Sequence, residues 1–540
     1  MRLDFNPKTE TFVLFVSADD AAGIKLAGDV GLGKSLPACT ASRLVYATKV
    51  PYAALPFWQW ATDAARDELF FLRMAYDASW AQEGTRQFPV PTDLEYFPFQ
   101  SCGIDYALGR QHTIIGDQPG LGKTIQAIGV ANELRMKRIL VLCPASVRIQ
   151  WYKKVMEWST LRRRRTVPLA YAILRGRDGV PPDANWTILS YDLCRTDTIH
   201  EQLRAMGHFD MLVLDEGHYL KSPETQRTRS VFGGGEDDPF HGGLAAHAEK
   251  VVALTGTPLP NRPRECYTLV RGMNWDAIDR TSLDRFQHRY NPSMRIPDGG
   301  GLIEKVGRLP ELQARLRCNL MVRRRKKDVL HQLPDVTYEV IRVDETKKIK
   351  EVTKAENMLG LDKNAVAAGG RMDFDGEVST VRRLMGEAIA PFAAEQAEML
   401  LGGGLEKLLI FAWHRSVIGF LREKLEHWGV VTIDGSLSSA GKHTRVQRFR
   451  EEPDVQVCIG QIISSGTGVD GLQDVCAHAL FAEHDWVHGN NEQAVDRLWR
   501  IGQNAGVLAQ FLVAPKSISE YILSSAIEKA GNTDAALDKR

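Results

Sequence analysis

Short apolar runs alternate with amphipathic helical stretches over much of the chain. Between about residue 91 and residue 275, such runs are followed by a loop and then by apolar positions at helical spacing. The runs include His112–Ile115, Arg138–Leu142, Trp186–Ser190, Met211–Leu214 and Val251–Leu254. This alternation predicts a parallel sheet covered by helices on both faces.

The same alternation returns after about residue 400 and predicts a second α/β lobe. Its apolar runs are Lys407–Ala412, Val430–Ile433, Val455–Ile459, Ala479–Ala482 and Val507–Val513. The stretch between the two lobes, about 276–395, is basic and mostly helical in its periodicity. Its glycine-rich segment Leu359–Glu377 predicts a mobile loop or linker.

Residues 1–90 carry a different pattern, which predicts a small α+β accessory domain. Thr11–Ser17 alternates like a half-buried strand, and Ala61–Tyr76 has helical spacing. Before that helix lies an aromatic cluster of Phe57, Trp58 and Trp60, which suits either a core or a binding surface. We therefore divide the chain into an N-terminal domain (1–90), lobe one (91–335) and lobe two (336–540). Helical insertions are expected from about residue 276 in lobe one and at the start of lobe two.

Composition narrows the class of protein. A chain of 540 residues suggests roughly three or four units of domain size. Its net charge of +1 offers no overall attraction to nucleic acid, so such a partner must be argued from local patches. The eight cysteines include no C-x-x-C pair, which argues against a disulfide scaffold or a zinc ribbon. With neither a secretory signal nor a membrane span evident, we expect a cytoplasmic protein, in the host cell if viral, or a nuclear one if eukaryotic.

Two segments compete as the phosphate-binding loop. Gly28–Ser35 matches the strict pattern G-x-x-x-x-G-K-[ST], whereas Asp117–Thr124 has an aspartate in place of the first glycine. The second segment has the right surroundings, with the apolar run His112–Ile115 before it and the proline-free helical stretch Thr124–Arg138 after it. A P-loop needs such a strand and helix, because the loop amides and the helix N-terminus hold the phosphates. We therefore favour Asp117–Thr124.

Two acids follow the next apolar strand in a way that suits metal-assisted hydrolysis. In the favoured loop, Lys123 is placed to bridge the β- and γ-phosphates, and Thr124 to offer its hydroxyl to Mg²⁺. Asp215 and Glu216 follow the apolar run Met211–Leu214, at the sheet edge where ligands bind in such folds. We predict that Asp215 holds Mg²⁺ through water and that Glu216 polarises the attacking water.

A polar stripe in the second lobe has two interpretations. Gln493, Asp496, Arg497 and Arg500 follow the spacing of one helix face. Such a stripe either faces solvent or supplies arginines to a γ-phosphate held by another lobe, and spacing alone leaves both open. The small-residue loop Ser464–Asp470 can approach a backbone or a phosphate closely.

Taken together, these segments resemble the Swi/Snf family of superfamily-two helicase-like ATPases, especially its compact bacterial, viral and fork-remodelling members. Lobe one carries the matching segments Phe97–Gln100, Asp117–Thr124, Pro144–Trp151, Ser190–Tyr191, Asp215–Pro223, Leu254–Asn261, Met321–Leu330 and Leu333–Pro334. Lobe two carries Leu409–Phe411, Ile433–Gly435, Ser464–Asp470, Asp485–Trp486 and Gln493–Gln503. The resemblance spans about residues 95–530, and its last segment, Q-A-x-D-R-x-x-R-I-G-Q, is highly specific.

The resemblance implies two RecA-like lobes that bind ATP and Mg²⁺ in the cleft between them. Lobe closure in this family would bring Arg497 and Arg500 onto the phosphates. The family commonly has an acid at the position of Asp117. The nucleotide-binding set implied for this chain is Gln100, Gly120, Gly122, Lys123, Thr124, Gly468 and Asp470.

The resemblance also implies double-stranded DNA as the track, forked or branched DNA included, with a monomeric working unit and no membrane. Contacts to DNA phosphates are expected from Ser146, Arg148, Trp151, Ser190, Lys221, Ser464 and Ser465. For the N-terminal aromatic cluster we favour recognition of a DNA structure. Two alternatives stay open, a strand-separating DNA or RNA helicase on the same core, and a nucleotide-gated DNA-binding protein whose ATPase is only a switch.

Overall fold

The computed structural model describes residues 1–161, 168–181, 183–234, 242–259, 262–295, 302–358, 376–462, 470–485 and 487–538. Within these ranges lie two parallel sheets and a smaller antiparallel sheet near the N-terminus. The predicted linker Leu359–Glu377 falls almost entirely outside them, as do Ser464, Ser465 and Gly468. None of the helices in the described ranges has both the length and the hydropathy needed to cross a bilayer.

The N-terminal domain is an antiparallel sheet packed against helices. In the described chain its strands are β1 (Arg2–Asn6), β2 (Thr11–Ser17), β3 (Gly33–Lys34) and β4 (Arg43–Thr48), in the order β1-β2-β4-β3. Its helices are α1 (Ala21–Asp29), α2 (Pro51–Ala54) and α3 (Asp63–Ala78). Strand β2 alternates as predicted, burying Phe12, Leu14 and Val16. Phe57 is buried in the same core, while Trp58 and Trp60 are partly buried against it.

Lobe one is built on a parallel sheet with the order β13-β5-β10-β9-β6-β8-β7. Its described strands are β5 (Thr113–Ile115), β6 (Ile139–Cys143), β7 (Ala170–Ala172), β8 (Trp186–Ser190), β9 (Phe209–Asp215), β10 (Ala248–Leu254) and β13 (Met321–Val322), and a separate hairpin is formed by β11 (Ser293–Arg295) and β12 (Leu302–Glu304). The helices are α4 (Pro98–Leu108), α5 (Lys123–Leu134), α6 (Arg148–Trp158), α7 (Tyr191–Cys194), α8 (Asp197–Ala205), α9 (Gln226–Phe232), α10 (Tyr267–Met273), α11 (Leu283–Tyr290), α12 (Leu309–Asn319) and α13 (Lys326–Val329).

Lobe two repeats the architecture with the strand order β14-β19-β18-β15-β17-β16, again all parallel. Its described strands are β14 (Val336–Arg342), β15 (Leu408–Ala412), β16 (Val430–Ile433), β17 (Val457–Gln461), β18 (His478–Phe481) and β19 (Val507–Val513). The helices are α14 (Lys347–Met358), α15 (Gly376–Gly402), α16 (Arg415–Lys424), α17 (Ser439–Glu451), α18 (His488–Val495) and α19 (Ile518–Leu537).

The predicted fold class, two α/β lobes with parallel sheets and a small α+β N-terminal domain, is confirmed. The stretch 276–395 differs in one respect, because it contains strands as well as helices. Strand β13 pairs with β5 at the edge of the first sheet, and β14 pairs with β19 at the edge of the second. A two-residue strand and a largely exposed edge strand leave a weak apolar signal, so periodicity alone did not separate them from the helices.

The strict P-loop match near the N-terminus has a different structure from a P-loop. Gly28 lies in the last turn of α1, and Gly33–Lys34 form the exposed strand β3, which pairs antiparallel with β4. Only a short 3₁₀ turn, Leu36–Ala38, follows. The segment therefore has neither the parallel strand before it nor the long helix after it.

Helix α12 joins the N-terminal domain to lobe one. Its residues Ala314 and Cys318 belong to the N-terminal core. The guanidinium carbon of Arg315 lies 4.7 Å from the ring centre of Tyr52, and the Tyr76 hydroxyl donates to Gln313 Oε1 at 3.0 Å. The N-terminal domain and lobe one thus share one packed interface.

The end of α19 also packs on lobe one, although residues 336–540 were assigned to lobe two. Arg317 donates to the backbone carbonyl of Leu537 from Nε at 3.0 Å. Asp538 is 3% exposed and accepts from Arg323 Nε at 2.9 Å. The last described residues therefore bridge back from the second lobe to the first.

A buried carboxylate on α12 provides a test of how this helix is held within lobe one. Glu311 is fully buried and accepts from Arg289 Nη2 at 2.7 Å, Arg315 Nε at 2.7 Å and the Tyr290 hydroxyl at 3.0 Å. Glu311→Ala leaves the buried Arg315 with Asp279 as its remaining carboxylate partner. We expect the free energy of unfolding to fall by about 3 kcal/mol, the low end of the range for breaking a buried ion pair. A lower thermal midpoint of unfolding measures this loss.

The exposed pair Asp276–Arg280 provides a matched control. Asp276→Ala is expected to leave the midpoint unchanged, because water solvates both groups already. Equal midpoints for the Glu311 and Asp276 variants would contradict a stabilising role for the buried cluster.

Candidate nucleotide site between the lobes

The loop between β5 and α5 has the backbone of a phosphate-binding loop. Gly120 and Gly122 have left-handed φ angles of +90° and +77°. A Cβ on Gly122 would lie 2.4 Å from Gln100 Nε2, so a side chain is excluded by contact as well as by conformation. The loop thereby presents bare backbone at the N-terminus of a twelve-residue helix, which attracts anions.

Gln100 supports this loop from helix α4. Its Nε2 donates to the carbonyl of Leu121 at 3.2 Å, and its Oε1 accepts from the backbone NH of Phe97 at 3.1 Å. The side chain is 1% exposed, so both bonds are shielded from water. Gln100 is therefore placed to hold the loop as well as to line the cleft.

Asp117, which stands where the strict pattern has glycine, anchors the loop. Its Oδ1 accepts from Arg324 Nε at 2.8 Å and from the Arg324 backbone NH at 2.9 Å. Its Oδ2 accepts from Gln126 Nε2 at 2.8 Å. The fully buried carboxylate points toward the segment after β13, which explains why an acid is compatible with a phosphate site here.

Lys123 lies at the first position of α5, inside the cleft. Its Nζ donates to the carbonyl of Asp117 at 2.8 Å. Burial lowers the pKa of Lys123, and the charges of Glu216 and Asp117 counteract that shift in part. A buried ammonium with one neutral acceptor and nearby acids is suited to an anionic ligand.

Asp215 ends β9 and is held by two aromatic side chains. Trp151 Nε1 donates to its Oδ2 at 2.8 Å, and the Tyr191 hydroxyl donates to its backbone carbonyl at 2.8 Å. Burial, together with the charge of Glu216, raises the pKa of Asp215 to about 6. A neutral donor thus orients the carboxylate of Asp215, and the positive charge near it is too weak to offset the effect of burial on its pKa.

Glu216 shows the opposite electrostatic balance. It adopts a left-handed backbone at φ +51°, unusual for a side chain of this size. Burial acts to raise its pKa, but contact with His218 and the charges of His218, Lys123 and Arg497 outweigh burial and lower it. His218 Nδ1 lies 3.2 Å from Glu216 Oε2 and 3.1 Å from Thr255 Oγ1. Glu216 therefore stays ionised beside an acid that ionises less readily.

The arginines of lobe two lie on a turn and not on the predicted continuous helix face. Helix α18 ends at Val495, and residues 496–500 form turns. The NH groups of Arg497 and Leu498 bond to the third residue back, and the carbonyl of Trp499 accepts from Lys326 Nζ. Arg500 pairs with Asp470 at 3.2 Å.

The turn nevertheless brings the arginines to the phosphate loop. A Cβ on Gly120 would lie 3.1 Å from Arg500 Cβ, so the two lobes meet at this glycine. Burial, together with the charge of Arg500, lowers the pKa of Arg497 to about 10. The cleft between the lobes has a volume of about 950 Å³. Its lining includes Gln100, Gly120, Gly122, Lys123, Thr124, Asp215, Glu216, Asp470, Asp496, Arg497 and Arg500.

These residues fit a nucleoside triphosphate with Mg²⁺. The two glycines leave open backbone for phosphates in front of α5. The Thr124 hydroxyl and the Asp215 carboxylate are the oxygen donors that Mg²⁺ prefers. Lys123 from lobe one and Arg497 and Arg500 from lobe two line the same cleft and supply positive charge to it.

The residues predicted for DNA contact are distributed differently. Trp151 and Ser190 are 2% and 3% exposed, so neither faces the surface. Trp151 serves Asp215, and Ser190 caps α7 by accepting from the Leu193 backbone NH at 3.3 Å. Both side chains are thus engaged within lobe one, and DNA contact by them stays a prediction.

Three predicted contact residues remain at accessible positions. Arg148 donates to the carbonyls of Ile173 and Leu174, both at 2.9 Å, and Lys221 pairs with Glu265 at 3.1 Å. Ser146 lines the nucleotide cleft. DNA contact by these side chains stays a prediction.

Comparison with known proteins places the chain in a family. The SNF2-related domain matches residues 99–385. The chain is 30% identical over 448 residues to the SWI/SNF-related matrix-associated actin-dependent regulator of chromatin subfamily A-like protein 1 of Xenopus tropicalis, covering 80% of this chain and 44% of that protein. It is 28% identical over 466 residues to the DNA annealing helicase and endonuclease ZRANB3 of Mus musculus, covering 84% and 42%.

Among solved structures, the Sulfolobus solfataricus SWI2/SNF2 ATPase core in complex with dsDNA is similar to this chain, with 18% sequence identity and a TM-score of 0.38. The match covers 84% of this chain and 100% of that one. The chain spans about two fifths of the length of the curated relatives named above. The matched domain covers more than half of the chain. Residues within it and residues beyond it line one cleft between the two lobes. The chain therefore belongs to the SNF2-related family of helicase-like ATPases.

Proposed function

We propose that this chain is a translocase on double-stranded DNA that hydrolyses ATP in the cleft between its lobes and remodels the DNA it moves along. The observation that carries the proposal is the composition of the cleft. Lobe one contributes a lysine, a hydroxyl and two acids, while lobe two contributes two arginines across from them. A site divided in this way couples the chemistry to the relative position of the lobes.

Each group has a distinct part in hydrolysis. Lys123 holds the phosphates. Thr124 would hold Mg²⁺ directly and Asp215 would hold it through water, and the bound ion would neutralise charge on the phosphate oxygens. Glu216 orients and deprotonates the attacking water, because it remains ionised and lies beside His218. Arg497 and Arg500 stabilise the charge that develops on the phosphoryl group when the cleft closes.

The choice of double-stranded DNA rests on the family. Both relatives named above have DNA or chromatin in their descriptions, and one is described as an annealing helicase. Because the matched region is only part of those proteins, we assign the shared core activity to this chain and leave their other activities aside. We therefore propose that the chain moves along the duplex without separating its strands processively, which fits the relative described as an annealing helicase.

Glu216 and Lys123 give the first test. Glu216→Gln is expected to lower kcat for ATP hydrolysis by about 100-fold or more while ATP still binds, because only proton transfer is lost. Lys123→Ala is expected to lose both binding and turnover. Phosphate release and nucleotide titration measure the two effects.

Lys137 is an exposed lysine just before β6. The control variant Lys137→Ala should retain full ATP turnover. A Glu216→Gln enzyme with more than one tenth of normal kcat would contradict the assignment of Glu216.

The polymer specificity gives the second test. Double-stranded DNA is expected to stimulate the ATPase more than single-stranded DNA or RNA, and the enzyme is expected to displace a third strand from a triplex. Lys123→Ala serves as the inactive control in both assays. RNA preference, or robust unwinding without duplex stimulation, would favour a strand-separating helicase. Displacement that survives in Glu216→Gln, which is expected to bind ATP without hydrolysing it, would favour a nucleotide-gated switch.

The anchoring role of Asp117 gives the third test. Asp117→Gly completes the strict P-loop pattern, yet we expect it to raise KM for ATP and to lower the thermal midpoint. The variant leaves the Arg324 guanidinium buried without a carboxylate, which costs about 3–5 kcal/mol.

The double variant Asp117→Gly with Arg324→Met removes the stranded cation, so part of the lost stability should return. Unchanged KM and midpoint in Asp117→Gly would show that the buried pair does not support the loop.

A further inference from the structure

A lysine of lobe one is buried in the turn that carries the arginines of lobe two. Lys326 is the first residue of α13, directly after the β13 segment, and is 0% exposed. Its Nζ contacts Asp496 Oδ1 and the carbonyl of Trp499, and lies 4.6 Å from the centre of the Trp499 ring. The ammonium thus meets three groups of the same turn.

The backbone of Lys326 is fixed to the phosphate loop. Its NH donates to Gln118 Oε1 at 2.8 Å, and the Gln118 NH donates to the carbonyl of Arg324 at 3.0 Å. A Cβ on Gly120 would lie 3.4 Å from Lys326 Cε and 3.1 Å from Arg500 Cβ. The lysine stem therefore lies between the phosphate loop and the arginine turn.

Further contacts across the same boundary hold the turn from its other side. Trp499 Nε1 donates to the carbonyl of Pro334 at 2.7 Å, in the connection that leads to β14. Gln118 Nε2 lies 3.5 Å from Glu492 Oε1 on α18. The turn at residues 496–500 is thus placed against lobe one by several bonds, of which the Lys326 contacts are the most buried.

The Lys326 ammonium is buried and depends on its partners in the arginine turn. Burial acts to lower the pKa of Lys326, and Asp496 opposes that shift. A buried ammonium requires partners, and here both its hydrogen-bond acceptors belong to the arginine turn. Removing the lysine takes away the donor to the Trp499 carbonyl and leaves the Asp496 carboxylate without this cation.

We propose that Lys326 is a positioning residue for ATP hydrolysis, which sets the distance between the phosphate loop and Arg497 and Arg500 by holding the turn Asp496–Arg500. This inference rests on the proposed function. Lys326 acts through the turn, while Arg497 and Arg500 line the cleft themselves. Its loss therefore affects the step in which the arginines act and spares the binding of nucleotide to lobe one.

Steady-state kinetics of Lys326→Met test the proposal. We expect kcat to fall by about 10- to 100-fold, the range for one misplaced stabilising group, with KM for ATP within about twofold of normal. The exposed neighbour Lys327 gives the matched control, and Lys327→Met should retain normal kcat. A normal kcat in Lys326→Met would overturn the proposal.

A double-variant cycle separates positioning from an independent effect. If Lys326 acts through the turn, Lys326→Met should add little to the loss already present in Arg497→Ala with Arg500→Ala. Losses that multiply would overturn the proposal. Failure of the proposed function looks different, since the unmodified protein would then lack ATPase activity that depends on Lys123.

A fold-preserving variant covers the case in which Lys326→Met is unstable. Lys326→Met combined with Asp496→Leu removes both buried charges and should recover the thermal midpoint. We expect this variant to be folded and still slow, because the turn has lost its hold on lobe one. A folded double variant with normal kcat would show that the lysine only contributes stability.

Discussion

Burial of positive charge constrains this structure more than any other interaction. Arg323, Arg324 and Lys326 follow β13 and are all nearly inaccessible to water. A buried cation is strongly destabilising unless an anion and hydrogen-bond acceptors surround it. Each of the three finds its carboxylate in a different part of the chain, namely Asp538, Asp117 and Asp496. One short segment thereby ties together the end of α19, the phosphate loop and the arginine turn.

The acidic pair at the end of β9 shows how two adjacent carboxylates can have pKa values shifted in opposite directions. Asp215 receives a neutral donor from Trp151, whereas Glu216 lies beside His218 and near two cations. Burial acts on both, but only for Glu216 do charged neighbours outweigh it. The same strand end therefore presents one carboxylate suited to a metal and another suited to a water molecule.

Local patterns predicted the sheets and many of the residues that meet in the cleft. Apolar runs such as Trp186–Ser190 and Val507–Val513 coincide with β8 and β19, because a buried parallel strand needs a continuous apolar stretch. The choice of Asp117–Thr124 over Gly28–Ser35 depended on a strand before the loop and a helix after it. The structure has this strand and helix, β5 and α5, around Asp117–Thr124 and not around Gly28–Ser35. Helical spacing failed at residues 496–500, where the chain leaves α18 for a turn that contacts lobe one.

Long-range pairing accounts for what the patterns did not reveal. Asp117 meets Arg324 across 207 residues, Lys326 meets Asp496 across 170, and Arg323 meets Asp538 across 215. Periodicity carries no information about partners at such separations. Trp151 is another case, because nothing in its local sequence indicates that its indole bonds an acid 64 residues later.

The shared core between the N-terminal domain and α12 has a mechanical consequence. Ala314 and Cys318 pack inside the N-terminal domain, while α12 itself is built into lobe one. Two bodies that share a close-packed interior cannot shift independently without exposing it. We expect the N-terminal domain to travel rigidly with lobe one, so that in each opening and closing of the cleft it sweeps relative to lobe two as a fixed extension of the first lobe.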